Sequence, residues 1–391
     1  MFQQEPKIID AKIRNDVSKN ATIVTPRLRS VFHCPDETYL GFFSRQWSSI
    51  CDALGVSGVN SKAACLQAVS LMDPWGWNKI GVKPRYRSYV SQDGFPFELS
   101  ISWHGGEPEI RILFESQGPE PTALSSLQAS QALTRRLASI PDVDVNLDGC
   151  LAIEPLFITN GRVGDHHPIW HSLAWRPGTK PHYKVYFGPP VQTANFEEST
   201  VRSAMSILGL AEAWAPISER YAILSAQGHR IEFFALDLQD QDHGRAKVYF
   251  RHSPMPRENL CALAAFAHHY DPLRFGRILT NVYQHQCIVS NEPMTCLAFR
   301  RGKDAAVESN LYLRLSNVVP SDAHAAQIIA SILADEGADA DAYMHMLTKV
   351  APRPLEQTTG LQELLSYRTL SADRPADVGV SARVSHAPSI Q

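Results

Sequence analysis

A short strand pattern recurs along this chain, and it constrains the fold more than any other feature. The copies read E-I-R-I-L-F at 109–114, Y-K-V-Y-F at 183–187, R-A-K-V-Y-F at 245–250 and S-N-L-Y-L at 309–313, with a weaker copy, D-V-G-V-S-A-R-V, at 377–384. Arg111, Lys184, Lys247 and Asn310 hold equivalent places in the copies and lie 73, 63 and 63 residues apart. Such a period indicates repeated supersecondary units.

Each unit combines strand and helix patterns. Apolar residues at helical spacing predict helices over 38–54, 123–140, 199–214, 257–270 and 321–335, with Ser199 or Thr200 as the cap of the third. Alternating patterns predict strands over 97–103, 109–114, 182–187, 230–236, 245–251, 295–300 and 310–315. The short connections 236–244 and 301–309 predict antiparallel hairpins.

Five such units supply about ten antiparallel strands, and a sheet of this size removes its edges when it closes into a barrel. The predicted fold is therefore α+β: a closed antiparallel barrel of about ten strands, built from five ββαα-type repeats and surrounded by a ring of helices. No Gly/Ser/Pro linker divides the sequence, so we expect residues 1–391 to form one domain with a core at about 30–385 and loose termini.

The polar face of these strands predicts a ligand. Because residues two apart on a strand share a face, three rows point together into the lumen: Lys184 and Tyr186; Arg245, Lys247 and Tyr249; Asn310, Tyr312 and Arg314. Their apolar neighbours, which are Val185, Phe187, Val248 and Phe250, are expected to face the helices. Buried cations need partners, and Glu98 is the clearest carboxylate on these faces. The rows therefore predict an anionic ligand, most simply a phosphate or diphosphate, beside a cationic or planar group. Charges that face bulk water would explain one row but not three at near-regular spacing.

Composition narrows the function classes. The 37 basic and 40 acidic residues give a net charge of −3, which argues against broad binding to nucleic acid or an anionic membrane. The seven cysteines include no C-x-x-C pair, which is typical of reduced thiols in the cytoplasm. Because the chain shows neither a signal-peptide pattern nor a run of roughly 18 apolar residues, we expect a soluble cytoplasmic protein.

In order and spacing, these motifs resemble the aromatic prenyltransferases of the dimethylallyltryptophan synthase type, the ABBA prenyltransferases. The resemblance rests on P-F-E-L-S at 96–100, R-I-L-F-E at 111–115, K-V-Y-F at 184–187, R-A-K-V-Y-F at 245–250, L-Y-L at 311–313 and G-L-Q-E-L-L-S-Y-R at 360–368, and it spans about residues 90–385. The chain is more similar in length to bacterial members. The resemblance implies an enzyme of secondary metabolism, such as alkaloid biosynthesis. It would transfer a dimethylallyl group, or alternatively a geranyl group, from a prenyl diphosphate to an indole acceptor, either tryptophan or a tryptophan-derived metabolite.

The resemblance also implies roles for individual residues. Glu98 would accept the indole N–H. His171 would be the catalytic base, on a strand where tryptophan-specific members often carry a lysine. The diphosphate ligands would be Arg111, Lys184, Arg245, Lys247, Asn310 and Arg314. The allylic cation would be shielded by Tyr186, Tyr249, Tyr312 and Tyr367. Two positions depart from the family pattern, because Asn310 stands where many members have Gln or Lys and Ser381 where a tyrosine is usual.

No metal is expected to be required. The segment D-E-G-A-D at 335–339 superficially resembles the aspartate clusters of helical terpene synthases, but its position after a predicted helix favours a solvated turn. His166 and His167 are adjacent on an extended segment, point opposite ways and are not expected to chelate. Because Arg and Lys can supply the charge of a metal, the prenyl diphosphate is the only co-substrate expected.

Two other functions stay open: a non-catalytic barrel that binds an anionic lipid or nucleotide, and a prenyltransferase for phenolic rings. In each case we expect small-molecule ligands and a monomer or homodimer.

Overall fold

The computed structural model describes residues 36–81, 86–91, 94–158, 169–188, 194–239, 244–284, 286–315, 318–351, 353–371 and 373–382. Its strands are β1 (Phe97–His104), β2 (Glu107–Phe114), β3 (Ile169–Trp175), β4 (His182–Phe187), β5 (His229–Asp237), β6 (Ala246–His252), β7 (Met255–Pro256), β8 (Ile288–Val289), β9 (Met294–Phe299), β10 (Glu308–Arg314), β11 (Gln362–Arg368) and β12 (Asp377–Ala382). Ten of them close into a barrel in the order β1-β12-β11-β10-β9-β6-β5-β4-β3-β2, while β7 and β8 form a separate pair.

Helices connect and cover the hairpins of this barrel. They are α1 (Tyr39–Ala53), α2 (Val59–Leu71), α3 (Ala123–Arg136), α4 (Asp148–Phe157), α5 (Ala194–Ile207), α6 (Ala211–Ser218), α7 (Tyr221–Ala226), α8 (Pro272–Tyr283), α9 (Asp322–Asp335) and α10 (Ala340–Val350). Among the described residues, no helix has both the length and the apolar character needed to cross a membrane.

Five antiparallel hairpins build the barrel, namely β1–β2, β3–β4, β5–β6, β9–β10 and β11–β12. The predicted α+β barrel of five repeats is therefore confirmed. In the first hairpin, Gly105 and Gly106 connect the register partners His104 and Glu107 with φ values of 58° and 94°. Two successive positive φ values match a tight turn to the right-handed twist of the strands, which explains the Gly-Gly pair.

The apolar core lies between the barrel and the helices. Val185, Phe187, Val248 and Phe250 are buried there, as the alternation predicts. Phe187 stacks on Phe157 of α4 with 4.8 Å between ring centroids. Because one face of each strand is used for this core, the other face is left to line the lumen.

Predicted helices agree with the structure where the sequence also provides a cap. The Thr38 hydroxyl accepts from the amide of Gly41 at the start of α1, and the Ser321 hydroxyl accepts from the amide of His324 at the start of α9. The prediction over 199–214 is wrong in detail, because the chain breaks between α5 and α6 at Gly209, whose φ is 71°. Ser199 and Thr200 lie inside α5 and do not cap it.

The helix predicted over 257–270 is wrong. The segment contains only short 3-10 turns, Arg257–Asn259 and Ala264–Phe266. Its apolar spacing reflects burial of Leu260 and Leu263 against the rest of the core rather than helical structure.

The acidic segment at 335–339 has structural contacts. Asp339 accepts from the amide of Ala342 at 2.8 Å and caps α10. Glu336 pairs with Arg274, so the interpretation as a solvated turn is wrong for this residue. Within the described ranges, no group of three His, Cys, Asp or Glu side chains is arranged to hold a metal ion. His166 and His167 lie outside the described residues.

Candidate active site

The lumen contains two adjoining cavities. The aromatic chamber has a volume of about 330 Å³, and its rings belong to Tyr89, Trp170, Tyr186, Phe233, Tyr249 and Tyr312. The ionic chamber has a volume of about 280 Å³ and is lined mostly by charged side chains. Five residues line both chambers and form the neck between them: Ser102, Arg111, Tyr312, Ser366 and Gly379.

Gly379 keeps this neck open. A Cβ added to it would lie 2.5 Å from the Ser366 Oγ and 3.1 Å from the Ser102 Cβ. Both distances are shorter than comfortable van der Waals contact, so a side chain here would displace the neck residues. Glycine therefore allows β1, β11 and β12 to present small groups at the junction of the chambers.

Positive charge predominates in the ionic chamber. Its cations are Arg111, Arg176, Lys184, Arg245, Lys247, Arg300 and Arg368, and its carboxylates are Glu109, Asp237, Glu308 and Asp377. Seven cations against four carboxylates leave an excess of three positive charges when all seven cations are protonated and the histidines are not counted. Burial lowers the pKa of His182, which favours its neutral form.

Ion pairs fix most of these cations in place. Arg245 donates from Nε to Asp237 Oδ2 at 2.9 Å and from Nη1 to Glu308 Oε2 at 3.0 Å. The same Glu308 oxygen accepts from Arg368 Nη1 at 2.8 Å. Burial would raise the pKa of Glu308, but Arg368 and Arg245 outweigh that effect and lower it to about 2. The network therefore stays charged, and its donors are oriented before any ligand arrives.

The same arrangement continues on the neighbouring strands. Arg111 Nη2 donates to Glu109 Oε1 at 2.9 Å, and Arg176 Nε donates to Glu109 Oε2 at 3.0 Å. Lys184 Nζ lies 3.3 Å from Asp237 Oδ1.

Lys247 differs from these cations. Its ammonium group has no ion-pair or hydrogen-bond partner within the part of the chain that the structure describes, and the residue is 5% exposed. Burial, and then repulsion by Lys184 and Arg245, lowers its pKa well below the usual 10.5. A buried cation without a counter-charge is unfavourable, so Lys247 gains most from an anion in this chamber.

Three tyrosines form one wall of the aromatic chamber. Ring centroids lie 6.0 Å apart for Tyr186 and Tyr249, and 5.7 Å apart for Tyr249 and Tyr312. Trp170 meets Phe233 edge to face at 5.1 Å beside them. Burial raises the pKa of Tyr249 and of Tyr312, so both are neutral phenols at physiological pH. Tyr249 and Tyr312 therefore present uncharged aromatic rings to the chamber.

The opposite wall, on β1, β11 and β12, is built from small groups: Ser100, Ser366, Gly379 and Ser381. Ser381 is 5% exposed, and its hydroxyl has no hydrogen-bond partner among the described residues. The tyrosine wall is consequently one-sided.

Carboxylates also reach the aromatic chamber. Glu98 lines it from β1, and Glu363 lines it from β11. Arg314 Nη1 donates to Glu363 Oε1 at 3.1 Å. The segment 87–91 borders the same chamber, and it is held by hydrogen bonds from Ser91 Oγ to the Phe95 carbonyl and from the Phe95 amide back to Ser91 Oγ.

The structure brings most of the predicted residues into the lumen. Glu98, Tyr186 and Tyr249 line the aromatic chamber, Arg111 and Tyr312 line the neck, and Lys184, Arg245, Lys247 and Asn310 line the ionic chamber.

His171 does not line either chamber, and its prediction as the catalytic base is wrong. Its Nε2 lies 2.8 Å from the Thr134 Oγ1 of α3, and its ring stacks on Phe114. Alternation along β3 turns Trp170 and Ala174 inward, so His171 faces the helices.

The predictions for Tyr367 and Arg314 also need correction. Tyr367 accepts from Arg274 Nε at 3.1 Å outside the barrel, because Ser366 and Arg368 occupy the lumen face of β11. It therefore does not shield the chamber. Arg314 does face the lumen, but it lines the aromatic chamber rather than the ionic one.

Several charged residues of the ionic chamber were missed from the sequence: Arg176, Arg300, Arg368, Glu109, Asp237, Glu308 and Asp377. Glu109 stands two residues before Arg111 and shares its face, so alternation contained that signal. Asp237 and Glu308 lie just beyond the predicted strand ends, where the pattern had no information.

Comparisons with known proteins agree with this architecture. The family model described as tryptophan dimethylallyltransferase matches residues 40–346. The crystal structure of 6-dimethylallyltryptophan synthase from Micromonospora olivasterospora, in complex with DMASPP and Trp, has 26% identity and a TM-score of 0.78, and the match covers 90% of this chain and 99% of that one.

Two further structures share the fold. The 5-dimethylallyl tryptophan synthase from Streptomyces coelicolor, in complex with DMASPP and Trp, has 22% identity and a TM-score of 0.80 over 91% of this chain and 99% of that one. The prenyltransferase PriB, in a ternary complex with L-tryptophan and dimethylallyl thiolodiphosphate, has 21% identity and a TM-score of 0.77 over 90% of this chain and 98% of that one.

Proposed function

Since this chain belongs to the tryptophan dimethylallyltransferase family and is an indole prenyltransferase that uses a dimethylallyl donor, we propose that tryptophan is its acceptor and that the two chambers are its active site. The observation that carries this proposal is the neck, where a cation-rich chamber meets a wall of tyrosine rings. The donor would lie across the neck, with its diphosphate in the ionic chamber and its allylic group among the rings.

The charge of the ionic chamber suits a diphosphate. Its excess of three positive charges matches a prenyl diphosphate, whose charge at pH 8 is about −3. Arg111, Lys184, Arg245 and Lys247 supply the direct contacts in this proposal, and Asn310 adds an amide donor. Their oriented charges stabilise the leaving group as the allylic C–O bond breaks and its electron pair departs with the diphosphate. This replaces the need for a metal ion.

The allylic cation forms beside the tyrosine wall. Each face of Tyr186, Tyr249 or Tyr312 stabilises a nearby cation by about 0.5–2 kcal/mol. The enclosed lumen also limits access of water, which would otherwise convert the cation to a prenyl alcohol. Ring carbon attack by the acceptor then forms the new C–C bond, and loss of the ring proton to a base restores aromaticity.

Glu98 positions the acceptor in this proposal. As the indole ring gives up electron density, its N–H becomes more acidic, and a hydrogen bond to a carboxylate strengthens in the transition state. A non-catalytic anion-binding barrel would need the cations of the ionic chamber but not this carboxylate.

An acceptor-by-donor screen tests the function directly. Tryptophan, simple indoles and phenols are each incubated with dimethylallyl or geranyl diphosphate, and products are identified by mass spectrometry. We expect tryptophan to gain one C5H8 unit. No prenylated indole with any donor would rule out the proposal, and preferential reaction of phenols would favour the phenolic alternative.

The variant Glu98→Gln tests the positioning role. We expect kcat/KM for tryptophan to fall about 10- to 100-fold, because a charge-assisted hydrogen bond is worth about 1.5–3 kcal/mol. The matched control is Glu232→Gln, which removes a carboxylate that pairs with Arg251. Unchanged kcat/KM in a folded Glu98→Gln protein would remove Glu98 from the site.

A further inference from the structure

The ion pair of Arg314 and Glu363 stands apart from the charge network of the ionic chamber. Both side chains line the aromatic chamber, where an acceptor would bind. Their charged groups lie 3.1 Å apart, and the side chains are 20% and 3% exposed, respectively. The Nη2 group of Arg314 has no hydrogen-bond partner within the described ranges, whereas its Nε–H is buried away from the cavity. The pair is therefore largely buried and retains an unused donor at Nη2.

A β-bulge places this pair. The register between β11 and β12 shifts between Gln362 and Leu364, so Glu363 is the extra residue. Bulges redirect side chains and are frequent beside active sites. A buried ion pair rarely stabilises a fold more than two apolar side chains of similar size. Stability alone therefore does not explain why Arg314 and Glu363 occupy these positions.

Glu363 also lies near Glu98. Leu99 of β1, Ala382 of β12 and Gln362 of β11 are register partners in one cross-strand row, and Glu98 and Glu363 each flank this row. Only β12 separates β1 from β11, so the two strands are about 10 Å apart at a strand spacing of about 4.8 Å, and Glu98 and Glu363 lie on opposite sides of the row. An indole that donates its N–H to Glu98 would extend its side chain across this distance.

We propose that Arg314 and Glu363 bind the α-carboxylate and the α-ammonium group of a zwitterionic amino-acid acceptor. The proposal rests on the proposed function and assigns the two residues that recognise the amino-acid part of the acceptor. Arg314 donates from Nη2 to the carboxylate, and Glu363 accepts from the ammonium. Because the two protein charges are opposite and already paired, neither is buried alone before the acceptor binds, and the complex remains neutral.

Another arginine that lines the aromatic chamber, Arg251, provides a contrast. Arg251 donates to Glu232 at 2.6 Å and to Glu292 at 2.7 Å, so two carboxylates already occupy its guanidinium group. A third carboxylate would meet an excess of negative charge there. Arg251→Gln is therefore a matched control for the loss of an arginine from the same cavity.

Three acceptors separate the contacts. Tryptamine lacks the carboxylate of tryptophan, and indole-3-propionate lacks its ammonium group. In Arg314→Gln, we expect the ratio of kcat/KM for tryptophan to kcat/KM for tryptamine to fall about 10- to 100-fold. In Glu363→Gln, the corresponding ratio of tryptophan to indole-3-propionate should fall by a similar factor. Arg251→Gln should change neither ratio more than about twofold.

The outcomes are distinguishable. If the wild-type protein prenylates none of the three indoles, the proposed function fails and the subsite fails with it. If it prenylates them and both ratios are unchanged in the Arg314 and Glu363 variants, the ion pair only joins β10 to β11, and the subsite is overturned. Should Arg314→Gln fail to fold, Arg314→Lys retains the charge but loses the planar guanidinium, and it must lower the first ratio for the proposal to stand.

Discussion

Binding of a prenyl diphosphate should place a proton on Lys247. In the free protein, burial and the charges of Lys184 and Arg245 hold the pKa of Lys247 well below its usual value. A diphosphate in the ionic chamber supplies the missing counter-charge and raises this pKa again. At any pH between the free and bound pKa values, the ligand therefore enters together with a proton.

The size and sign of the effect follow from linkage. Below the pKa of the free protein, Lys247 is already charged and binding takes up no proton. Between the two pKa values, uptake approaches one proton per ligand, and log Kd rises by about one unit for each unit of pH. Each pKa unit recovered on binding corresponds to about 1.4 kcal/mol of coupling between proton and ligand. Affinity should therefore weaken as pH rises through this window.

Calorimetric titration measures the protons directly. Dimethylallyl thiolodiphosphate is titrated at several pH values from about 7 to 10, in buffers that differ in ionisation enthalpy. The slope of the observed binding enthalpy against the ionisation enthalpy of the buffer gives the number of protons taken up per ligand. The terminal phosphate has a second pKa of about 6 and contributes little above pH 8.

Two variants assign the proton. Lys247→Met should bind more weakly and lose the uptake, since it removes the titrating group. Lys184→Met should also bind more weakly but retain the uptake in a window shifted to higher pH, because losing the repulsion by Lys184 raises the pKa of Lys247 in the free protein. Zero uptake by the wild type across the whole range, or equal uptake by Lys247→Met, would refute this account of the chamber.

Two further predictions concern the cation and its leaving group. Tyr249→Ala should release more prenyl alcohol per prenylated tryptophan than the wild type, whereas Tyr249→Phe, which keeps the ring, should give nearly the wild-type ratio. Chromatography measures both products, and an equal ratio in all three proteins would contradict a cation shield. Turnover should persist in EDTA, because the excess of three positive charges in the ionic chamber stabilises the departing diphosphate. Loss of activity on chelation with recovery on Mg²⁺ addition would show that these charges are insufficient.

The sequence predicts the barrel because its signal is local and repeated. Alternation places Lys184 and Tyr186 together, and the repeat at Lys247 and Tyr249 indicates that the same supersecondary unit is used again. The barrel is then the arrangement that removes the edges of so large a sheet.

The site predictions are wrong where a shift of one residue decides whether a side chain faces the lumen or the helices. Tyr367 and Ser366 follow two adjacent leucines, Leu364 and Leu365, in β11, so the alternation does not reveal which of the two points inward. In most strands of this barrel the polar side chains face the lumen. In β3 the apolar Trp170 faces the lumen, and the polar His171 faces the helices. Asp237 faces Arg245 across the β5–β6 hairpin. Glu308 becomes a partner of Arg245 only when β6, β9 and β10 are assembled, and no local pattern contains that second contact.

Strand geometry also explains why the two halves of the reaction lie next to each other. Lys184 precedes Tyr186 by two residues, and Lys247 precedes Tyr249 by two, which corresponds to about 6.6 Å along a strand. This spacing separates the cations that hold a diphosphate from the rings that face its allylic carbon. The residues between them, Val185 and Val248, point outward into the apolar layer under the helices. A shift of one residue in either strand would therefore bury a lysine in that layer and remove a cation from the lumen, so the fold and the chemistry depend on the same register.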